Sequence, residues 1–344
     1  MSETYRAIRL EHFAESFRAG CQIVDLPVAP PAAGEVRVGN LYCGVNGIFD
    51  TQIARNLVDY VTIALPTFTG VEALGVVEAV GEGVSELAVG DAVVTTRFTG
   101  GYREKFTGPV ANFVKVPDAA PEWLALASTG VSAMVALRVI GEVKPGETVA
   151  ISAAAGGLGH LLVQIAVDMG CHVVAVAGGQ AKCDFVRSLG AQRVIDYRAE
   201  DVGEVLAAEY RNKIDVAVDT VSGAIFDAFL ANLANHGRLV VGGAAADLEG
   251  RPEIVTAPRI AHAIYYKSAS VRGFMNGLLT AHWPEAREDI FAMYAQGRIK
   301  VRFDDGGPDG GLFRHVEGIF DAVERLLSGR SMGKVLVDLR PDTN

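Results

Sequence analysis

The chain has 344 residues, 50% of them hydrophobic and 21% charged, enough to bury two cores rather than one. Its formal net charge of −10 argues against nucleic acid or an anionic membrane as partner, because both require concentrated positive charge. The four cysteines, Cys21, Cys43, Cys171 and Cys183, show no paired spacing. Free thiols in a reducing, cytoplasmic setting are therefore expected rather than a disulfide framework. No apolar run opens the chain, and no long uncharged apolar run occurs within it, so neither a signal peptide nor a transmembrane helix is expected.

Up to about Pro121 the chain reads as short strands and turns. Glu35–Asn46, Val76–Val80 and Ala92–Thr96 carry the β-branched content and the bounding Gly, Pro and Asp of strands. This predicts a mostly antiparallel, partly closed β domain. Beyond Pro121 strands alternate with helices. Thr148–Ser152 is an apolar strand, and Leu158–Met169 follows as a helix with Leu158, Leu161, Leu162, Ile165, Ala166 and Met169 on one face. His172–Ala177 is the next strand, and Ala181–Leu189 a helix ended by Gly190. Arg193–Ile195, Ile214–Val218 and Arg238–Val241 continue the series, with Ser270–Phe274 as the edge strand. Such alternation means βαβ units and a parallel sheet covered on both faces. Two helices follow, the second over Val316–Leu327, and Lys334–Asp338 is a closing strand. The predicted division is 1–127 and 277–344 for the β domain and 128–276 for a doubly wound α/β domain.

Between the first strand and helix of that second domain lies Ala153-Ala-Ala-Gly-Gly-Leu-Gly159, the position of a dinucleotide-binding turn. Ala155, Gly156, Gly157, Leu158 and Gly159 are its candidate contacts. Gly156 lets backbone approach a pyrophosphate, Gly159 allows close helix–strand contact, and the helix start favours negative charge. Ala153 replaces the first glycine of the usual fingerprint. An NAD site carries a carboxylate roughly 20 residues on; here the strand ends in Gly178-Gly179-Gln180, followed by Lys182. Glycines leave room for a 2′-phosphate and a lysine attracts it, so NADPH is the expected cofactor. Tyr197 can add a hydroxyl. The alternatives are that Lys182 is a solvated lysine at a helix start and that Tyr197 packs on the sheet.

Cys43-Gly-Val-Asn46, Gly70-Val-Glu-Ala-Leu-Gly75, the Ala153–Gly159 turn, Leu189–Tyr197, Met332-Gly-Lys-Val335 and above all Lys267-Ser-Ala-Ser-Val-Arg-Gly-Phe274 make the chain resemble the medium-chain dehydrogenases/reductases over nearly its full length, in the quinone oxidoreductase and prostaglandin reductase branch. The resemblance implies a GroES-like catalytic domain, a Rossmann domain, hydride delivery from NADPH to enones, and a homodimer joined at Ser270–Phe274. It also adds Thr129, Val221, Gly243, Phe274, Met275 and Lys334 to the cofactor contacts, with Ser132 beside Thr129. Two segments depart from the family pattern. Gly47–Phe68 is slightly longer, and Thr99–Phe106 is atypical. An apolar Gly47–Leu65 implies an apolar substrate pocket, unless Arg55 reaches in to pair with a carboxylate.

Zinc members of this family place a cysteine where this chain has Asn46 and a histidine where it has Val71. Neither replacement suits a catalytic zinc, so no metal is expected. Without one, the enolate oxygen formed by hydride addition needs hydrogen-bond donors placed in advance. Asn46 can supply an amide N–H, or be a turn asparagine. Tyr265 or Tyr266 can supply a phenolic O–H, or both can be packing residues with wet tips. His160 reads as a surface or supporting residue rather than a base. A quinone reductase and a non-enzymatic NADPH-binding protein are the competing functions, since fold alone does not fix function.

Overall fold

The computed structural model describes residues 3–247, 254–307 and 312–342. The chain divides into two units, one of residues up to Ser128 with those from Phe303 on, the other Thr129–Arg302.

In the first unit, Glu35–Gly44 is the organising strand. It pairs antiparallel with Glu72–Val80 on one side and with Lys334–Asp338 on the other, and also with Lys105–Pro109. Gly44 stands opposite Glu72 in one pairing and opposite Leu336 in the other. Three segments far apart in sequence therefore converge at one end of this strand. The sheet extends through Ala92–Thr95 to Phe113–Lys115, and through Phe303–Asp304 on the other edge. Thr4–Leu10, Cys21–Pro27 and Thr67–Phe68 form a smaller sheet that the composition did not announce. The helix Gly318–Leu327 buries Ile319, Phe320, Ala322 and Val323, the i, i+1, i+3, i+4 stripe of an amphipathic helix. Its core neighbours include Ile53 and Ala54 of the helix Gly47–Ala54.

The second unit holds a six-stranded parallel sheet in the order Arg193–Asp196, His172–Ala177, Thr148–Ile151, Ile214–Asp219, Leu233–Val241, Ser270–Gly273. Its strands Thr148–Ile151 and His172–Ala177 are apolar on both faces; in the second only the first residue is exposed, as required where helices cover a parallel sheet twice. The order reverses direction between Thr148–Ile151 and Ile214–Asp219. Such a switch point, outside the carboxyl ends of the strands, is where open α/β sheets bind ligands.

The second division of the chain falls after Arg302, not at the expected 276/277. The helix Trp283–Ala295 belongs with the parallel sheet's unit: Arg138 binds Asp289, and Trp283 donates to Asn276, which donates in turn to Ser132. The stretch Glu122–Ile140 is long and apolar enough to cross a membrane by composition, yet 72% of that window is buried within the protein, the pattern of a core helix.

Candidate functional site

The turn after Thr148–Ile151 is built for backbone approach. Ala153 takes a left-handed φ of 45°, and a Cβ on Gly159 would stand 2.2 Å from the Ala153 carbonyl oxygen. Only glycine lets the helix Gly159–Asp168 start this close to the strand. No side chain caps its first turn, which suits an outside anion at the N-terminus. Ala155 is buried, and Gly156, Gly157 and Leu158 are half-buried at its rim. At the switch point itself lies a residue pair that sequence reading missed. Ser152 donates to the fully buried Asp219 (2.7 Å) and accepts from the Thr220 N–H (2.9 Å). Asp219 accepts further from the Val221 and Ser222 N–H groups at 2.9 and 3.0 Å. This ties together the ends of two neighbouring strands and fixes the turn holding Val221. Gly243 packs over Thr220, whose carbonyl oxygen would lie 3.0 Å from its Cβ. The signal was available: an aspartate closes the otherwise apolar Ile214–Asp219.

At the end of the next strand, the Tyr197 ring occupies the space a Gly178 side chain would need, 2.4 Å from its Cβ position. Tyr197 thus packs over the glycine and remains half exposed. The carboxylate near this site, Asp196, accepts from the Gly179 N–H (2.8 Å) and the Arg198 N–H (3.0 Å). These two backbone donors lower its pKa and use it as a structural clamp. Arg198, also missed from sequence, brings its guanidinium beside Gly179, 3.5 Å from the Cβ position. Lys182 sits half-buried in the first turn of the helix Gln180–Ser188. Tyr197 and Arg198 therefore border the Gly178–Gly179 backbone, and Lys182 lies in the helical turn that follows it.

Several other expected residues find different surroundings. Thr129 is buried, Phe274 donates its N–H to Val241 (2.8 Å) and is buried, and Met275 is 40% exposed. Tyr265 and Tyr266 are 76% and 74% exposed and stack edge-on against each other. They are wet surface residues of the second unit rather than pre-placed donors. His160 is not on the surface: it is fully buried, its Nδ1 against the Gly156 carbonyl (2.9 Å) and its Nε2 accepting from the Arg302 N–H (3.3 Å). It braces the nucleotide turn.

In the first unit Asn46 does stand in a polar site. It is the N-cap residue of Gly47–Ala54, yet its side chain makes no cap hydrogen bond. Its amide donates to Glu72 Oε1 (2.9 Å), and its Oδ1 accepts from Lys334 Nζ (3.0 Å). Lys334 also binds the Val45 carbonyl (3.1 Å) and pairs with the fully buried Glu72. Lys334 was expected at the cofactor. With 3% of its side chain exposed and three acceptors around its ammonium, it serves Asn46 instead.

Below this cluster, Tyr102 donates to Asp50 Oδ2 (2.5 Å). Burial pushes the Asp50 carboxyl up to about 7, with the Tyr102 hydrogen bond and Lys334 acting against it. Neither was picked from sequence, although an aspartate inside the apolar Gly47–Ala54 was a visible signal. Arg55 is committed to the Glu15 carbonyl (2.6 Å), with its side chain 17% exposed.

These residues do not fit a zinc ion. The Glu72 carboxylate is already paired with an ammonium, the Asp50 carboxyl is held by Tyr102, and Asn46 offers an amide nitrogen already donating. Among the described residues no group of three or more His, Cys, Asp or Glu converges.

The chain matches the alcohol dehydrogenase GroES-like domain over residues 32–118 and the zinc-binding dehydrogenase domain over 157–292. It is 32% identical over 323 residues to prostaglandin reductase-3 of Bos taurus, spanning 93% of this chain and 85% of the relative. It is 29% identical over 345 residues to a probable quinone oxidoreductase of Leishmania amazonensis, spanning 98% of each. Its structure resembles that of Escherichia coli quinone oxidoreductase complexed with NADPH, with a TM-score of 0.81 and 27% identity over 97% of this chain and 99% of that one. The chain belongs to the medium-chain dehydrogenase/reductase family. Within it, the chain falls in the zinc-free branch of prostaglandin reductase-3 and the quinone oxidoreductases.

Proposed function

We propose that the protein is an NADPH-dependent oxidoreductase that reduces the carbon–carbon double bond of an α,β-unsaturated carbonyl compound. NADPH held by the protein would supply the hydride that the enone's β-carbon takes up. The electron pair of the double bond then moves to the carbonyl oxygen, and a proton from solvent completes the α-carbon. The protein's part is to hold the dinucleotide and to stabilise that oxygen. Gly156–Gly159 and the uncapped helix start accept the pyrophosphate, and Lys182, Tyr197 and Arg198 receive the 2′-phosphate. Ser152 and Asp219 fix the strand ends between them.

The observation that carries the reaction class is Asn46. It sits where a helix cap would normally turn inward, and instead keeps an amide N–H for an oxygen outside, beside a buried cation and with no metal-binding set around it. A preorganised donor of this kind is the means by which developing oxyanions are stabilised. Quinone reduction places charge on an oxygen in the same way, and relatives named quinone oxidoreductases favour it as the second reading. NADPH consumption with a panel of neutral enones and quinones tests both; a protein that only binds the cofactor consumes none with any of them.

The substrate is a neutral, apolar enone. Ile53, Ala54 and Val58 of the apolar Gly47–Leu65 are spent on the core, but Leu57, Tyr60 and Val61 remain exposed. The active form is a soluble homodimer in a reducing, cytoplasmic setting, joined through Ser270–Gly273, the terminal strand of the parallel sheet. Pairing removes an open strand edge. Arg272, which would otherwise guard that edge, is drawn to the Ile140 carbonyl (2.7 Å) and Glu142 (3.1 Å). Light scattering showing a monomer at micromolar concentration removes the dimer.

A further inference from the structure

We propose that the buried Glu72–Lys334 pair is a positioning device that locks the Asn46 amide with an N–H, and not its carbonyl oxygen, presented to the substrate. The inference rests on the reading of Asn46 as donor to a substrate oxygen and adds what sets its orientation.

An asparagine amide can rotate by half a turn with little steric consequence, and doing so exchanges its donor and acceptor edges. Here that rotation is forbidden by charge. Oδ1 faces the Lys334 ammonium at 3.0 Å, and Nδ2 faces Glu72 Oε1 at 2.9 Å. Turning the amide over would set its NH2 against an ammonium and its oxygen against a carboxylate. Both contacts would be repulsive, in a place from which water is excluded: Glu72 is fully buried and Lys334 nearly so. In the locked orientation one N–H is consumed by Glu72, and the other is the polar hydrogen left to the half-buried Asn46.

Three independent features indicate a device rather than an incidental ion pair. Asn46 occupies a helix N-cap position, where its side-chain oxygen would ordinarily accept from the helix backbone; it makes no such bond. Glu72 concentrates both its donors on Oε1, while Oε2 is buried without a partner. A carboxylate serving stability alone would use both oxygens, and an unsatisfied buried acceptor calls for another explanation. Finally, the strand carries glycine at position 44 because the device fills the space beside it. A Cβ there would lie 2.5 Å from Glu72 Oε1 and 2.8 Å from Lys334 Cε. Two strands supply the charged side chains and a third the glycine that makes room for them beside this amide.

The test has a spectroscopic arm and a kinetic arm. The Asn46 side-chain amide protons are assigned by their disappearance in Asn46→Ala, in the protein without substrate. The proton bonded to the carboxylate is expected well downfield of its geminal partner. In Glu72→Leu/Lys334→Met, which removes both charges together, the separation should fall to that of a free asparagine amide. Unshifted protons in the wild type, once assigned, overturn the lock whether or not the double variant folds.

In the kinetic arm, with a neutral enone, Asn46→Ala should lower kcat by about 100-fold, the range for loss of one oxyanion donor. The double variant should lower it by at least roughly tenfold with NADPH affinity unchanged, and adding Asn46→Ala to it should cost much less than about 100-fold more. Independent, multiplying losses, or a loss of NADPH affinity in the double variant, overturn the positioning role. Full enone turnover by Asn46→Ala, with the downfield proton present in the wild type, overturns the donor reading while the wild-type amide proton still supports the lock.

Discussion

The two candidate sites, one in each unit, satisfy their polar groups in different ways. In the parallel-sheet unit, carboxylates are spent mainly on nearby backbone: Asp219 on the N–H groups two and three residues ahead, Asp196 on those of Gly179 and Arg198. In the other unit, side chains answer side chains across the sequence, with Asn46 bonded to Glu72 26 positions on and to Lys334 288 positions on. A site made of turns and strand ends tolerates change in any one side chain, because the backbone remains. A site made of three interlocked side chains depends on the register of three strands and on every member being present.

The largest effect should expose this difference. Lys334→Met leaves Glu72 buried and uncompensated, which costs about 3–5 kcal/mol. Ser152→Ala removes one neutral hydroxyl from a cluster with other donors, costing about 1–3 kcal/mol. The two tryptophans, Trp123 and Trp283, fall one in each unit, so urea unfolding in Trp→Phe backgrounds reports the units separately. Equal losses in the two variants would erase the contrast.

A pH dependence that reaches neutral pH should come from Asp50 in the first unit. Burial raises the Asp50 carboxyl from its ordinary 3.8 to about 7, so the folded protein holds a proton that the unfolded chain has released. The stabilisation this gives is complete below the unfolded value and is lost as pH rises through about 7. Relative to Asp50→Asn, the wild type should therefore lose stability between pH 4 and 7, by at most about 1.4 kcal/mol per pH unit. Tyr102→Phe, which removes the hydrogen bond holding the carboxyl down, should move that window upward. Parallel stability profiles for wild type and Asp50→Asn would show that Asp50 does not titrate with folding.

The same contrast governs what could be read from sequence. The alternation of apolar strands and helices, the Ala153–Gly159 turn and the carboxylate-free Gly178–Gly179 are local patterns, and the structure builds the elements close to their expected ends, except that the strand expected to begin at Arg238 begins at Leu233. Asn46 was legible as a polar residue in a telling place, but its partners were not. Nothing within a window around Val71 or Met332 reveals that Glu72 and Lys334 face each other across Gly44; that follows only from strand order. Lys334 accordingly looked like a cofactor residue. His160 was read as a surface or supporting residue, and the structure gives it the supporting place. The pattern gave its helix one buried face, whereas the structure buries every residue from Gly159 to Ala166, His160 bracing the turn behind it.

In the parallel-sheet unit, the next effect is one of cofactor choice. A charge-assisted hydrogen bond contributes about 1.5–3 kcal/mol, so Lys182→Ala should weaken NADPH binding by roughly 10- to 150-fold and leave NADH nearly unchanged. Arg198→Ala should act in the same direction with a smaller loss, since an exposed cation at the rim is better screened. Fluorescence titration with both dinucleotides measures this. Equal losses for NADPH and NADH would mean that these cations do not read the 2′-phosphate.

The smallest effect per change concerns the substrate, and it returns to the first unit. The apolar stretch from Gly47 to Leu65 divides its side chains. Ile53 and Ala54 are buried in the core, Phe49, Ile63 and Leu65 pack against it, and Leu57, Tyr60 and Val61 are left more than 40% exposed. The residues left over offer apolar area to a ligand and no charge. Arg55, the cation of this stretch that could have recognised a carboxylate, is held on the Glu15 carbonyl with the Glu15 carboxylate 3.9 Å away. Each methylene transferred from water to such a surface contributes about 0.8 kcal/mol, so kcat/KM for a series of neutral alkyl enones should rise about fourfold per added carbon until the surface is filled. An unsaturated acid of equal length should be the poorer substrate, and Arg55→Ala should not change that order. If the acid is preferred in the wild type and loses its advantage in Arg55→Ala, the arginine leaves Glu15 to meet the substrate, and the exposed apolar side chains have another purpose.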